Sequence, residues 1–190
     1  VYIPDRFIKS HMSFMSTPTG DRTVVSAGKR AAAEYFTVVD TPEEADAALC
    51  FIESPISCGY NPEDRKAGGS GYVPVTLQYR PYQAVSARRP SLAGGDPLEA
   101  SDDRSYRDKW NRAANEGDLD LVEEMRKRMG DKPVITIVAL KNPTVMSELE
   151  PCTDALLVEY GVSAQAVLDV ITGRFTPQGL LPVQMPANME

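Results

Sequence analysis

The sequence predicts an α/β fold, a three-layer α/β/α sandwich around a mostly parallel sheet, and three observations carry that prediction. Two apolar runs, residues 47–52 and 134–140, are continuous rather than alternating, the pattern of strands buried on both faces. Amphipathic helical segments follow at 119–129 and 164–172. Strand and helix signals alternate along the chain, as parallel sheets require of their crossovers.

Taken in order, Val1-Tyr2-Ile3 reads as a short strand stopped by Pro4, and residues 5–23, mixed in Met, Ser, Pro and Gly, read as loop. A helix is expected over 28–34, helped by the alanines at 31–33. The β-branched and aromatic run 35–39 predicts a strand. Thr41-Pro42-Glu43-Glu44 predicts a helix start: Thr41 as cap, Pro42 at the first position, and Glu44 closing a capping box. Residues 47–52 then form the first fully buried strand. At the far end, Asp118 is expected to cap the helix 119–129, whose buried stripe is Leu119, Val122, Met125 and Met129. Glu123 with Lys127 and Glu124 with Arg128 are spaced as surface pairs, and Gly130 closes the helix. The run 134–140, a Pro-led segment at 142–148, a strand at 155–158 and the helix 164–172 complete the order, with Gly173 as its stop.

Residues 53–117 break this rhythm. They hold Gly68-Gly69-Ser70-Gly71, Gly94-Gly95 and six prolines (Pro55, Pro62, Pro74, Pro81, Pro90, Pro97). A connection of about 65 residues is far beyond the usual handful, so it is read as a functional or mobile insertion in a single 1–190 domain. Within it, residues 72–79 alternate like an edge strand, where Pro74 is tolerated. The insertion leaves the carboxyl end of the strand 47–52, the edge at which open α/β sheets place their ligands. That position directs attention to residues 53–71.

Composition excludes several classes. A net charge of −7 argues against nucleic acid, whose phosphates need basic surface. No apolar run approaches the roughly 20 residues of a membrane span. The chain opens on a strand-like segment without methionine or leader, which reads as a domain cut from a longer protein. A bacterial cytoplasmic and a secreted setting both stay open. Three cysteines, Cys50, Cys58 and Cys152, lack CxxC spacing and argue against a disulfide framework or zinc site. Cys50 and Cys152 are expected as buried thiols beside apolar strands. The one histidine, His11, excludes a histidine metal cluster and is expected in a loop with Met12, Phe14 and Met15. The glycines at 68–71 lack a Gly-Lys-Ser/Thr ending, and Ser57 and Ser163 lack a Gly-x-Ser-x-Gly elbow.

Carboxylates are the better supply of chemistry. Glu53, Glu63 and Asp64 occupy the segment after the buried strand, with Arg65 and Lys66 following. Glycoside hydrolysis uses two carboxyl groups flanking the bond, roughly 5–5.5 Å apart in retaining enzymes, one of them protonated. The plainer reading is that Glu63 and Asp64 are solvated loop charges. Tyr60, Tyr72, Tyr79, Tyr82, Tyr106 and Trp110 offer either sugar-stacking surfaces or anchors for the loop. Arg88-Arg89 and the stretch 101–104 read as solvated loop.

The order strand, helix, strand, helix over 132–189, ending in Thr176-Pro177-Gln178-Gly179-Leu180-Leu181-Pro182, resembles the end of the second domain of glycoside hydrolase family 3. Cys58-Gly59-Tyr60-Asn61-Pro62-Glu63-Asp64-Arg65-Lys66 is similar, with an insertion, to the segment in which many members carry their acid/base glutamate. The resemblance is specific over 132–186 and weak over 67–117. The sequence Gly71-Tyr72 through Tyr82 looks like a divergent bacterial branch of β-glucosidase-like members. The resemblance implies an α/β sandwich contributing to retaining hydrolysis of β-linked non-reducing-end sugars. The nucleophile would sit on a (β/α)₈ barrel of the same polypeptide, which is not in this chain. It implies Glu63 as acid/base with Asp64 as alternative, and Tyr60, Arg65, Lys66 and Tyr72 as sugar contacts. No metal or organic cofactor is required by that mechanism. Two departures stand out. Cys58 occupies the position of the family glutamate, and Tyr160-Gly161-Val162-Ser163 replaces the usual glycine-rich turn. A non-catalytic sugar-binding or interaction domain is the alternative.

Overall fold

The computed structural model describes residues 1–11, 19–89 and 105–190. Its sheet is three parallel strands in the order β3 (Ala48–Glu53), β6 (Val134–Ala139), β7 (Ala155–Glu159). The register runs from Ala48 opposite Val134 to Glu53 opposite Ala139, and from Ile135 opposite Ala155 to Ala139 opposite Glu159. Tyr2 extends the sheet by a single parallel bridge to Ala48. The expected strand 1–3 goes no further: Tyr2 donates to the Ala47 carbonyl and accepts the Leu49 amide, and Val1 bonds to Thr37 and Val39.

Two hydrophobic layers cover the sheet. Ala48, Cys50 and Ile52 of β3 face α3 (Gly117–Met129), which buries Leu119, Val122, Met125 and Met129 against them. Leu49 and Ile137 face the opposite way, under α1 (Ala27–Ala32) and α4 (Ala164–Ile171), with Ala32, Val167 and Leu168 closing that layer. The three-layer α/β/α sandwich is therefore present, and the period-2 alternation of β3 feeds both layers. Burial pushes the Cys50 thiol up to about 12, so it is an inert packing group. Cys152 is only part-buried.

Several local expectations differ in instructive ways. The strand expected at 35–39 does not form, because the Tyr35 and Phe36 amides both donate to the Ala32 carbonyl and continue the turn of α1. Thr41 makes no side-chain cap, and Pro42–Glu44 is one 3₁₀ turn rather than a helix. Asp118 does not cap α3 either; it lies inside the first turn and binds Arg6. The expected surface pairs on α3 are replaced by longer-range ones, Arg128 with Glu43 at 2.8 Å and Glu123 with Arg80 at 3.0 Å. Within 5–23, the loop contains a short antiparallel pair, β1 (Arg6–Ile8) and β2 (Arg22–Val24).

The insertion is partly built. It contains α2 (Pro62–Lys66) and a two-residue ladder of β4 (Tyr82–Gln83) with β5 (Trp110–Asn111). The edge strand expected at 72–79 reduces to one bridge, Tyr60 to Tyr72. Tyr79 is instead driven into the core, its hydroxyl donating to the Glu53 carbonyl at 2.7 Å. Glu148 accepts the Tyr79 and Arg80 amides at 2.6 and 3.1 Å. Arg89 pairs with Asp108 at 2.7 Å. Met12, Phe14, Met15, Pro90, Gly94, Gly95, Pro97 and the stretch 101–104 lie outside the described residues. Among the described residues no helix is long and apolar enough to cross a membrane.

Candidate functional site

Strand β3 delivers the chain to the carboxyl edge of the sheet at Glu53, where a buried polar knot receives it. Asn115, fully buried, donates to the Glu53 and Ser54 carbonyls at 3.1 and 3.2 Å and accepts the Ile56 amide at 2.7 Å. The Ala114 amide donates to the Ile56 carbonyl at 2.7 Å, so the two ends of the insertion meet. Ser54 Oγ donates to Asn142 and accepts the Lys141 amide. Beneath them Asp118 takes the Arg6 Nε and Nη2 hydrogens at 2.8 and 2.7 Å, and its Oδ2 also accepts from Asn115. Burial opposes the charge on Arg6, but the Asp118 carboxylate outweighs it and holds the guanidinium firmly protonated. Such buried groups are tolerated because Asn115, Asp118 and the Arg6 Nε and Nη2 nitrogens have partners.

Beyond the knot the chain forms a narrow hairpin. Ser57 and Thr76 exchange two hydrogen bonds, the Val73 amide donates to the Gly59 carbonyl, and Asn61 donates to Gly71. Asn111 Nδ2 bridges the two arms, reaching the Cys58 and Pro74 carbonyls at 2.8 and 2.9 Å. At the tip, Asn61 caps α2 by accepting the Glu63 amide at 2.9 Å, and Pro62 sits at the first helical position. Gly71 holds φ +82° where the chain turns under Tyr60, and a Cβ there would strike the Tyr60 ring. The rings of Tyr60 and Tyr72 then meet edge to face, 6.0 Å apart.

This geometry separates two neighbouring carboxylates. Glu63 is 74 % exposed and pairs with Lys66 at 2.7 Å one turn on. Asp64 is 23 % exposed and accepts from Lys109 Nζ at 2.6 Å and the Gly71 amide at 2.7 Å. Partial burial would raise the Asp64 pKa, but the Lys109 bond and the Gly71 amide more than offset it and hold the carboxyl below its usual range. Lys109 also reaches Ser70 Oγ at 3.1 Å, so Asp64 closes the hairpin onto the body of the insertion. Tyr60, Glu63 and Lys66 are exposed on the hairpin, and Arg65 is half-buried beside them. Cys58, with His11, Tyr60 and Arg112, lines a pocket of about 160 Å³ under this tip.

A second concavity escaped sequence reasoning. The carboxyl ends of β3, β6 and β7 open into a cleft of about 260 Å³ lined by Arg6, Glu53 and Glu159. Glu53 was legible as a carboxylate ending an apolar run, but Arg6 stands in a three-residue strand with no pattern to mark it. Among the described residues no group of three or more His, Cys, Asp or Glu side chains is placed to hold a metal.

Comparison with known proteins gives this arrangement its context. The family described as glycosyl hydrolase family 3 C-terminal domain matches residues 10–190. A probable beta-glucosidase C of Aspergillus flavus is 28 % identical over 155 residues, 82 % of this chain and 18 % of that protein. Its counterpart in Aspergillus oryzae is 27 % identical over the same shares. Beta-glucosidase C of Emericella nidulans is 36 % identical over 58 residues, 30 % of this chain and 9 % of that protein. The chain thus spans under a fifth of the length of these relatives. No solved structure matches it. The match runs through both helical layers, the sheet and the insertion, and the chain belongs to the glycosyl hydrolase family 3 C-terminal domain family.

Proposed function

We propose that this domain forms the sugar-covering half of a β-glucosidase-type active site. The other half is a (β/α)₈ barrel of the same polypeptide that carries the nucleophile. The observation that carries the reading is the family match together with relatives that are beta-glucosidases. The structure supports it by presenting an exposed carboxylate, Glu63, on a hairpin fastened to the carboxyl edge of the sheet. In retaining hydrolysis a carboxylate from the barrel attacks the anomeric carbon, while a carboxylic acid gives its proton to the departing oxygen. That acid then takes a proton from the water that releases the sugar. Glu63 fills the acid/base role because its pair with Lys66 is exposed and easily exchanged, whereas Asp64, the alternative beside it, is held part-buried by Lys109 and the Gly71 amide. Docking the hairpin against a barrel would exclude water from Glu63, the setting in which enzymes keep a carboxylic acid protonated. Tyr60, Tyr72, Arg65 and Lys66 border the same tip and supply a ring face and hydrogen-bond donors for a carbohydrate substrate.

One observation favours a second reading, a non-catalytic sugar-binding or interaction domain: Cys58 stands where the family glutamate is expected, and a thiol does not replace a carboxylic acid. Hydrolysis of 4-nitrophenyl β-D-glucoside by the full-length polypeptide decides between them. On the proposed reading Glu63→Gln lowers kcat by about 10²–10⁴-fold, the usual contribution of general acid–base catalysis, and azide restores turnover. An unchanged rate in Glu63→Gln removes Glu63 from the chemistry, and an inactive wild type favours the binding domain.

A further inference from the structure

The cleft at the carboxyl ends of β3, β6 and β7 has a composition that the hairpin tip lacks. Its floor is apolar, formed by Phe51, Ile137 and Val167. Phe51 is set there by Gly28, since a Cβ at residue 28 would overlap the ring. Glu159 on its rim is tied to its own turn through Oε2, which accepts the Gly161 and Val162 amides at 2.5 and 2.9 Å. Arg6 and Glu53 give the cleft an adjacent donor and acceptor. Every hydrogen bond of Arg6 uses Nε or Nη2, both toward Asp118, which leaves Nη1 without a partner among the described residues. The Arg6 side chain is only 7 % exposed, and its bidentate pair with Asp118 fixes the plane of the guanidinium. Glu53, 25 % exposed, stands 3.7 Å from Arg6 through Oε2 and 3.2 Å from Lys141 through Oε1.

Arg6 is matched by Asp118 and Glu53 by Lys141, so neither offers an ionic ligand an unpaired charge. A neutral ligand with neighbouring hydroxyls fits better. One hydroxyl accepts from the guanidinium, the next donates to the carboxylate, and the C–H face of the ring rests on the apolar floor. We propose that this cleft is a monosaccharide subsite in which Arg6 Nη1 and Glu53 bind two adjacent ring hydroxyls over Phe51. The assignment rests on the carbohydrate reading of the domain, but it places the sugar at the sheet edge rather than beneath the hairpin tip. Arg6 and Glu53 are binding residues here, not groups that move a proton in the reaction.

The test is a titration of the full ¹⁵N-labelled chain with D-glucose, following backbone amides. The expected result is a saturable shift at Ser26, Gly28 and Val162, which border the cleft. Glu53→Gln keeps the shape and should weaken binding about tenfold, the difference between a hydrogen bond to a charged acceptor and one to a neutral amide. Val162→Trp, at an exposed rim position, should abolish the shifts without disturbing the core. Shifts confined to residues 57–73 would overturn the cleft while leaving the carbohydrate reading intact. No shift anywhere, or equal affinity in wild type and both variants, would overturn the cleft outright. Hydrolysis by the full-length polypeptide then judges the carbohydrate reading separately.

Discussion

Around the sheet the contacts are apolar on both faces, with Val122, Val134, Val138, Leu149 and Leu168 essentially without exposure. The insertion from Ser54 to Glu116 is fastened mainly by side chains bonded to backbone: Asn115 to Glu53 and Ser54, Asn111 to Cys58 and Pro74, Glu148 to Tyr79 and Arg80. Apolar burial is non-directional and supplies most of the driving force for folding. Hydrogen bonds add little net energy, but they fix angles and distances. The difference therefore assigns two tasks. The sandwich supplies stability, and the insertion supplies a surface of defined shape at the sheet edge.

That division can be broken or sharpened by substitution, and the largest effect is expected where the two regions join. Asp118→Ala removes the partner of a buried guanidinium and should cost about 3–5 kcal/mol. Chemical denaturation followed by circular dichroism reads this directly, and a loss under 1 kcal/mol, roughly a surface-level effect, would show that the junction is dispensable. Leu119→Ala, in the buried stripe of α3, should cost about 2–5 kcal/mol in the same measurement. Its effect should leave the denaturant midpoint of the insertion, read by proteolysis at Gly68, coupled to that of the body.

Asp64→Asn is expected to be milder globally, about 1 kcal/mol, yet should accelerate cleavage at Gly68 because the Lys109 clasp is lost. Protonation does the same work. The folded-state pKa of Asp64 lies below its unfolded value, so its stabilisation is complete above about pH 4 and disappears as the pH falls through the folded value. Wild type should thus become protease-sensitive at Gly68 on acidification, measured with an acid-active protease, whereas Asp64→Asn should show no such step. Glu63→Gln lies at the small end, within about 0.5 kcal/mol, since its carboxylate is largely solvated. A larger loss would mean that Glu63 serves the fold.

The parts of the molecule written in apolar periodicity were legible in its sequence. The strands at 48–53 and 134–139 and the stripe of α3 follow from which residues avoid water, a property each residue carries locally. What escaped depends on distant partners. Asp118 looked like a helix cap, but Arg6, far upstream, claims it. The segment 35–39 has strand composition, yet the Ala32 carbonyl captures its first amides. Glu63 and Asp64 are adjacent and chemically alike, and Lys109 with the Gly71 amide, both distant in the chain, separates their environments. Sequence reasoning pointed to the carboxyl edge of the sheet, because topology sets that expectation. It did not reveal the Arg6–Glu53 cleft, because that pairing joins a three-residue strand to the end of another.

The hydrogen bond from Ala114 to the Ile56 carbonyl, with Asn115 beside it, has a consequence for how such a domain diversifies. It closes a ring of chain at its neck. Once the neck is shut, the cost of lengthening what hangs from it rises only logarithmically, about 0.6 kcal/mol for each doubling. Leu77, Tyr79 and Arg80 reach back from this ring to the body, so the segments on either side of that anchor can be rewritten, shortened or extended while the sheet beneath keeps its register. Grafting the ring between relatives, cut at Ile56 and Ala114, would have to carry the Tyr79 anchor with it.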